Sequence, residues 1–499
     1  MSVFRRAREA VRAEDLPLLA AVLLLPWLFG GVEIWVARSA SLLLALAAAA
    51  ALAREGFAGL GLDRDRAWLA PAALLGVLAA LQLLPLPPPL LRAASPKTDE
   101  ILRANFPGYP GEAPPDLIAA IESRALDRVP DARSFEAPAA AGALPRAKAA
   151  GRWDGWRPLS LHPDATVERL FWYGALLLAF LVVRARARES EAFRLHRGAL
   201  FCLFVALALF GIAQRISWNG RMFWIGPAVE SARPFGPYVN CVHFAGVMEL
   251  AAPWLLGWAW SRTRRLGRGA LRDPATLLAW AGAAGTAAAG IASESKAGAA
   301  LIAAGVSIVV VFGMVRRGRR LAAAAAALAG WIAAGALLVE TGMGGRAWSF
   351  LAESREGIGG YSRIEAWRSA VPMVADFPLA GVGMGAFRDV FPRYLRPGET
   401  GYWDRLHNDY LEVVIEGGIP AGVLVVLLAA GFSVRAVRGW RRARKGERTA
   451  RLGLLVGLGA LGLHAVVDFN HQIPANALLF VVTAALATRG GEAGEREPS

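Results

Sequence analysis

The stretch RLHNDYLEVVIEGGIPAG, Arg405–Gly422, runs straight into VLVVLLAAGFSV, Val423–Val434. Its first half is polar and carries one histidine, His407. Asn408 or Asp409 can cap a helix there, with Glu412 in the first turn and Gly417, Gly418 and Pro420 behind it. Everything after Pro420 is apolar and long enough to enter a bilayer. A polar loop feeding an apolar helix is the pattern of a polytopic, all-α integral membrane protein.

Outward from this junction the pattern recurs. About twelve apolar stretches approach the length of a spanning helix: Leu16–Ala37, Ser39–Ala53, Ala67–Leu84, Val167–Val183, Gly198–Ala213, Val242–Trp260, Ala275–Ala292, Ala297–Val315, Leu321–Val339, Ile419–Val434, Leu452–Val467 and Pro474–Thr488. The layout is N-terminal helices over 1–84, a loop of low regularity over 85–166, helices over 167–339, a large loop over 340–418, helices over 419–488 and a tail over 489–499. More than half of the residues are hydrophobic, at 55%, which excludes an ordinary soluble domain.

The chain has 55 Lys and Arg against 40 Asp and Glu. The basic residues cluster at Arg5–Arg12, Arg184–Arg188, Arg262–Arg265, Arg316–Arg320 and Arg435–Arg451, all on one side if each stretch crosses once. The positive-inside rule then puts both termini in the cytoplasm and the polar segments Pro85–Thr166, Gln214–Asn240 and Glu340–Gly418 outside. The positive charge is read as topology and not as a nucleic-acid surface, because no basic run is interleaved with aromatics in a soluble domain. The first apolar stretch reads as a retained helix, not a cleaved leader, because a second follows at once and its removal spoils the charge alternation. Cys202 and Cys241 are the only thiols, and Cys202 lies inside an apolar stretch, so neither a disulfide framework nor a zinc site is expected.

Chemistry is expected in the large loop. Ser362 and Glu365 have capping-box spacing, and Ile364, Trp367, Val371 and Val374 recur near the helical period, as in an amphipathic helix lying on the outer membrane face. Arg363 falls in its first turn, where unpaired amides and a guanidinium make an anion site; alternatively it snorkels to headgroups. His407, at the mouth of a helix, is placed to act as a general base, or is simply an interfacial polar residue.

Other polar positions are Ser293–Lys296, between two apolar stretches, and Arg233 and Asn240, before another. Lys296 either joins an anion site or pairs with Glu294 in a tight turn. Glu249, His464 and Asp468 are ionisable groups in or beside apolar stretches, suited to function or to hydrogen bonds between helices. His162 reads as a solvated loop residue, and Asp164 or Thr166 as a helix cap.

At these residues the chain resembles the O-antigen ligase and O-antigen polymerase superfamily of bacterial membrane glycosyltransferases. The likeness rests on ARPFGPYVN, SESKAG, YSRIEAW, PLAGVGMGAF, HNDYLEVVIEGGIPAG and HAVVDFNHQIPANALL, with PLSLHPDATVERLFWYG a weaker extension upstream. It covers roughly Gln214 to the last apolar stretch. The resemblance implies an enzyme that moves a glycan from an undecaprenyl-diphosphate carrier to a hydroxyl at the periplasmic face, in lipopolysaccharide or surface polysaccharide synthesis.

It also implies that His407 is the base and that Arg363, Arg233 and Lys296 contact the diphosphate, with Asn408 and Asn240 in support. Lys296 departs from the family pattern, where arginine is commoner, and so loses the bidentate fork. No cofactor or metal is implied. The one Asp-x-Asp, Asp63 and Asp65, falls on the cytoplasmic side and reads as a solvated turn.

A ligase would use lipid A-core as acceptor and a polymerase another carrier-linked glycan. Nothing in the sequence identifies the acceptor. A transporter or a non-catalytic envelope scaffold are the competing classes. The first is disfavoured by the lack of an internal repeat and by polarity gathered outside the membrane; for the second, His407 and Arg363 should be replaceable with little effect.

Overall fold

The computed structural model describes residues 11–60, 62–106, 109–110, 155–226, 234–315, 363–396 and 403–489, with the isolated positions 322 and 325. Among these residues all regular structure is helical, joined only by the isolated bridges Leu86 to Arg157 and Phe235 to Tyr238. The helices are α1 (Asp15–Leu24), α2 (Ile34–Gly59), α3 (Leu62–Gln82), α4 (Pro88–Ala94), α5 (Pro96–Asn105), α6 (Pro163–Arg186), α7 (Ser190–Ile216), α8 (Cys241–Leu266), α9 (Pro274–Ala292), α10 (Lys296–Val315), α11 (Arg363–Asp376), α12 (Phe387–Val390), α13 (Asp409–Arg442), α14 (Arg448–His464) and α15 (Pro474–Ala487).

Among the described residues, six helices are long and apolar enough to cross a membrane: Ile34–Phe57, Pro163–Arg186, Ser190–Ile216, Pro274–Ala292, Lys296–Val315 and Asp409–Arg442. Asp15–Trp27, Ala67–Gln82 and Pro474–Ala487 are apolar but shorter. Their outward faces carry large apolar side chains, such as Val423, Val426 and Leu427 on α13, as suits contact with lipid. The expected stretch Leu321–Val339 lies, apart from two positions, outside the described residues.

The first two expected stretches divide differently. Instead of one helix over Leu16–Ala37, α1 stops at Leu24 and the chain makes two 3-10 turns, Leu25–Trp27 and Phe29–Gly31. Pro26 removes a backbone donor at the break. The second expected stretch is the interior of a longer helix, α2.

At the centre stands α8, buried at every residue from His243 to Gly257. It crosses α14 with backbones nearly touching. A Cβ on Gly457 would lie 2.5 Å from the Leu250 oxygen, and one on Gly453 would lie 2.2 Å from the Pro253 oxygen. Small residues at the crossing let two helices gain van der Waals contact where no hydrophobic drive separates helix from lipid.

A smaller apolar cluster caps one end of this bundle, joining Ala366, Ala370 and Met373 of α11 to Phe377, Phe387, Phe391, Leu406 and Ile415. Thus α11 forms where the periodicity expects it, but with a different inner face. Ile364 and Val371 point outward, and the small residues Ala366 and Ala370 face the cluster. Packing against Phe377 and Phe387 selects small side chains there. Ser362, the other half of the expected capping box, lies outside the described residues.

Ion pairs mark the other end. Arg186, 1% exposed, is held by Asp15 at 2.6 Å and Glu189 at 2.8 Å. Arg12 reaches Glu55 at 3.2 Å and Glu189 at 2.7 Å, so the start of α1 and the ends of α2 and α6 lie together. Arg451 donates to the Arg489 carbonyl at 2.9 Å, which brings the start of α14 to the end of α15.

Candidate functional site: a shared carboxylate at the mouth of the bundle

The site is assembled at the capped end by two short connections and the start of α11. The first is His407-Asn408-Asp409. The Asn408 side chain accepts from the Leu411 amide at 3.0 Å and so caps α13, resolving the choice between Asn408 and Asp409. Asp409 is used differently: its amide donates to the Ala465 carbonyl at 2.9 Å, and its carboxylate accepts from the His471 amide at 2.9 Å. His407, just before the cap, has φ +55°. A left-handed backbone is costly for a residue with a Cβ and persists only where its surroundings impose it.

The second connection is the turn after α14, where Asp468 is fully buried. Its Oδ1 lies 3.6 Å from Nδ1 of His407 and 3.6 Å from Nε2 of His243. Both separations exceed hydrogen-bond length, so the contacts are electrostatic. Arg363 supplies the third side. Its Nη2 lies 3.2 Å from Asp468 Oδ2, and its Nη1 donates to the Val467 carbonyl. Burial alone would raise the Asp468 carboxyl; the two imidazoles and the Arg363 guanidinium outweigh it and hold the group well below the usual range.

Phe469 abuts both histidines, with ring centroids 4.6 Å from His243 and 4.7 Å from His407, each edge to face. Behind it, Asn476 donates to the His243 carbonyl at 2.8 Å and to Asn470 at 2.9 Å. Glu249 and His464 form a fully buried pair at 2.6 Å that ties α8 to α14. Their geometry is that of a hydrogen bond between helices, one of the two roles the sequence left open.

Before this group opens a cavity of about 2130 Å³. Arg363, Lys296, His243 and Asn240 line it, together with Arg388 and Arg405. Apolar side chains line it too, with Leu42 and Ala45 of α2 and Phe171 and Leu178 of α6 among them, as do Arg38 and Arg169 and the carboxylates Glu168, Glu294 and Asp404. His407 is not among the lining side chains. It stands beside Phe469 with a quarter of its side chain exposed.

Of the residues singled out in the sequence, Arg363 and His407 meet at Asp468, and Lys296 shares the cavity with Arg363. Asn240 caps α8 through the Val242 amide at 2.9 Å. Arg233 lies outside the described residues. Glu294 pairs with Arg215 at 2.7 Å.

Two readings upstream change. His162 is not simply solvated: its Nδ1 lies 2.6 Å from Asp389, tying the first loop to the large one. Neither Asp164 nor Thr166 caps α6, because His162 occupies that position ahead of Pro163. The Thr166 hydroxyl donates instead to the Met384 carbonyl at 2.9 Å.

The glycines of GVGMG build a knot beneath the site. Gly381 has φ +66°, and a Cβ there would lie 2.2 Å from the Glu416 oxygen. The Gly383 amide donates to that same oxygen at 3.0 Å, and Gln82 reaches it at 2.8 Å. This loop therefore pins α13 at Ile415 and Glu416, two turns in from His407.

His243 escaped the sequence reading, since nothing near it in the chain announces a carboxylate that the fold delivers from after α14. Asp468 was visible only as an ionisable residue at the end of an apolar stretch.

Residues 281–426 match the family model described as O-antigen ligase. The match takes in Lys296, Arg363, the GVGMG loop and His407. It begins after His243 and ends before Asp468. No curated protein matches the chain. Over residues 281–426 the chain is thus similar to the O-antigen ligase family, which supports the resemblance carried by its motifs.

Proposed function

We propose that this protein transfers a glycan from an undecaprenyl-diphosphate carrier to an acceptor hydroxyl, with His407 as general base and Arg363 and Lys296 as diphosphate contacts. The observation that carries the reading is the meeting of Arg363 and His407 at one buried carboxylate, Asp468. A guanidinium on the cavity side and an imidazole beside it are held by the same group, so donor and acceptor chemistry are brought to one place.

Nδ1 of His407 faces Asp468, which leaves Nε2 to take the acceptor proton. The acceptor oxygen then bonds to the anomeric carbon as the carbon–oxygen bond to the diphosphate breaks. The departing electron pair stays on the diphosphate, whose growing charge Arg363 and Lys296 offset. The reaction as written draws on no metal, because cations of the chain take the electrophilic role.

The cavity supports the donor class. Arg363, Lys296, Arg388 and Arg405 share its lining with apolar side chains from α2 and α6, which suits a headgroup that is anionic and a tail that is not. The proposal places the large loop in the periplasm of a bacterial inner membrane and both termini in the cytoplasm, with about twelve spans. The gathering of Arg12, Arg186 and Arg451 at the end away from the site supports that orientation.

Ligase and polymerase differ only in the acceptor, lipid A-core or another carrier-linked glycan. Deletion followed by gel analysis of surface polysaccharide separates them. Free polymer that is no longer attached marks a ligase; glycan capped at a single repeat marks a polymerase. An unchanged polysaccharide profile contradicts both.

A further inference from the structure

At the opposite ends of α8, α14 and α15 lies a second cavity, of about 790 Å³. It is lined by eight Lys and Arg side chains and one carboxylate, Glu447. Phe193, Trp254 and Trp258 line it too. The Arg197 guanidinium carbon lies 4.9 Å from the Trp258 ring centroid and 5.7 Å from that of Phe193. Arg489 stands 4.4 Å over the same Phe193 ring, and Arg262 5.8 Å from Trp258. Three guanidiniums thus share two rings.

Some of these cations have acceptors within the protein. Arg262 reaches Asp273 at 2.6 Å, and Arg451 donates to the Gly439 and Arg489 carbonyls. Arg197 differs: its Nε is buried and meets no hydrogen-bond acceptor among the described residues. Positive-inside bias accounts for cations spread over a surface. It does not account for a guanidinium pressed between two rings beside like charges, where repulsion and an unmade hydrogen bond both cost stability. An anion in the cavity would remove both costs.

We propose that this cavity binds a phosphate group, carried by an anionic phospholipid or by a soluble phosphate ester. The guanidinium fork matches phosphate oxygens. The volume is that of a small-ligand site, and basic pockets between helices at a membrane boundary suit lipid headgroups. The site is remote from the carboxylate at the other end of α8 and is independent of the reaction proposed there.

The test uses the purified full-length chain. Retention of phosphatidylglycerol against phosphatidylcholine is measured by native mass spectrometry, and protection by inorganic phosphate by thermal unfolding. Wild type should keep phosphatidylglycerol preferentially, and Arg197→Gln should lower that retention about five-fold. Arg265→Ala, a change at an exposed position lining the same cavity, should act likewise and keeps the test decisive if the Arg197 variant does not fold. Arg438→Ala, at an exposed position on α13 outside the cavity, should have no effect. Phosphate protection without lipid preference, lost in the Arg197 and Arg265 variants, assigns the site to a soluble phosphate ester. No preference and no protection, or an equal loss in Arg438→Ala, overturns the proposal.

Discussion

Nδ1 of His407 lies 3.6 Å from Oδ1 of Asp468, a contact that closes the large loop onto the turn leaving α14. His407 is held there at φ +55° by two neighbours, Asn408 as the cap of α13 and Asp409 as the tether to Ala465 and His471. The order His-Asn-Asp therefore has a mechanical meaning: chemistry, cap and lock in three successive residues.

Asp468 is predicted to be a positioning residue whose loss is felt through His407 and Arg363. Asp468→Asn should lower transfer by about 100-fold, in line with losing an electrostatic contact at a reacting centre. Because its folded-state carboxyl is held below the ordinary range, its stabilising effect is present above about pH 4 and lost as the pH falls further. The stability gap between wild type and Asp468→Asn should accordingly be widest near neutrality and close in acid. A gap that widens in acid would contradict the assignment.

Arg363→Ala should lower turnover by about 100-fold or more at equal membrane abundance, with Arg363→Lys restoring part of the loss. Near-normal turnover in the alanine variant would return Arg363 to a headgroup anchor.

Gly381→Ala tests the knot beneath the site. A Cβ at φ +66° and 2.2 Å from the Glu416 oxygen cannot be accommodated without moving backbone, so the variant should be destabilised by about 2 kcal/mol or more. Reduced membrane abundance and a lower unfolding temperature are the expected readings. An unchanged unfolding temperature would show that the loop can shift.

Much of the bundle was legible because apolar length and helix punctuation are local properties. Asp273, Asn240 and Asn408 cap helices near where the sequence places starts, and α11 forms at its expected period. The inner face of α11 was not legible, since Ala366 and Ala370 became the buried side only through contact with Phe377 and Phe387. The site divides in the same way. Arg363 and His407 could be picked out as charged groups beside helix starts. Their common partner could not, because Asp468 reaches them through the fold of α14, and His243 carries no local sign of that partner.

Orientation is open to a reporter test. A fusion after Arg396 should report the periplasm and one after Arg444 the cytoplasm, because Arg12, Arg186 and Arg451 lie at the end away from Asp468. The reverse pair would place the carboxylate site on the wrong face for a periplasmic reaction.

The most direct test of the central claim is transfer by purified His407→Ala, with an undecaprenyl-diphosphate-linked glycan as donor and the acceptor supplied. The variant should be a folded, membrane-inserted protein that leaves the donor uncleaved, with turnover down by at least about 100-fold. Robust transfer by this variant would remove His407 from the chemistry and contradict its role as the base.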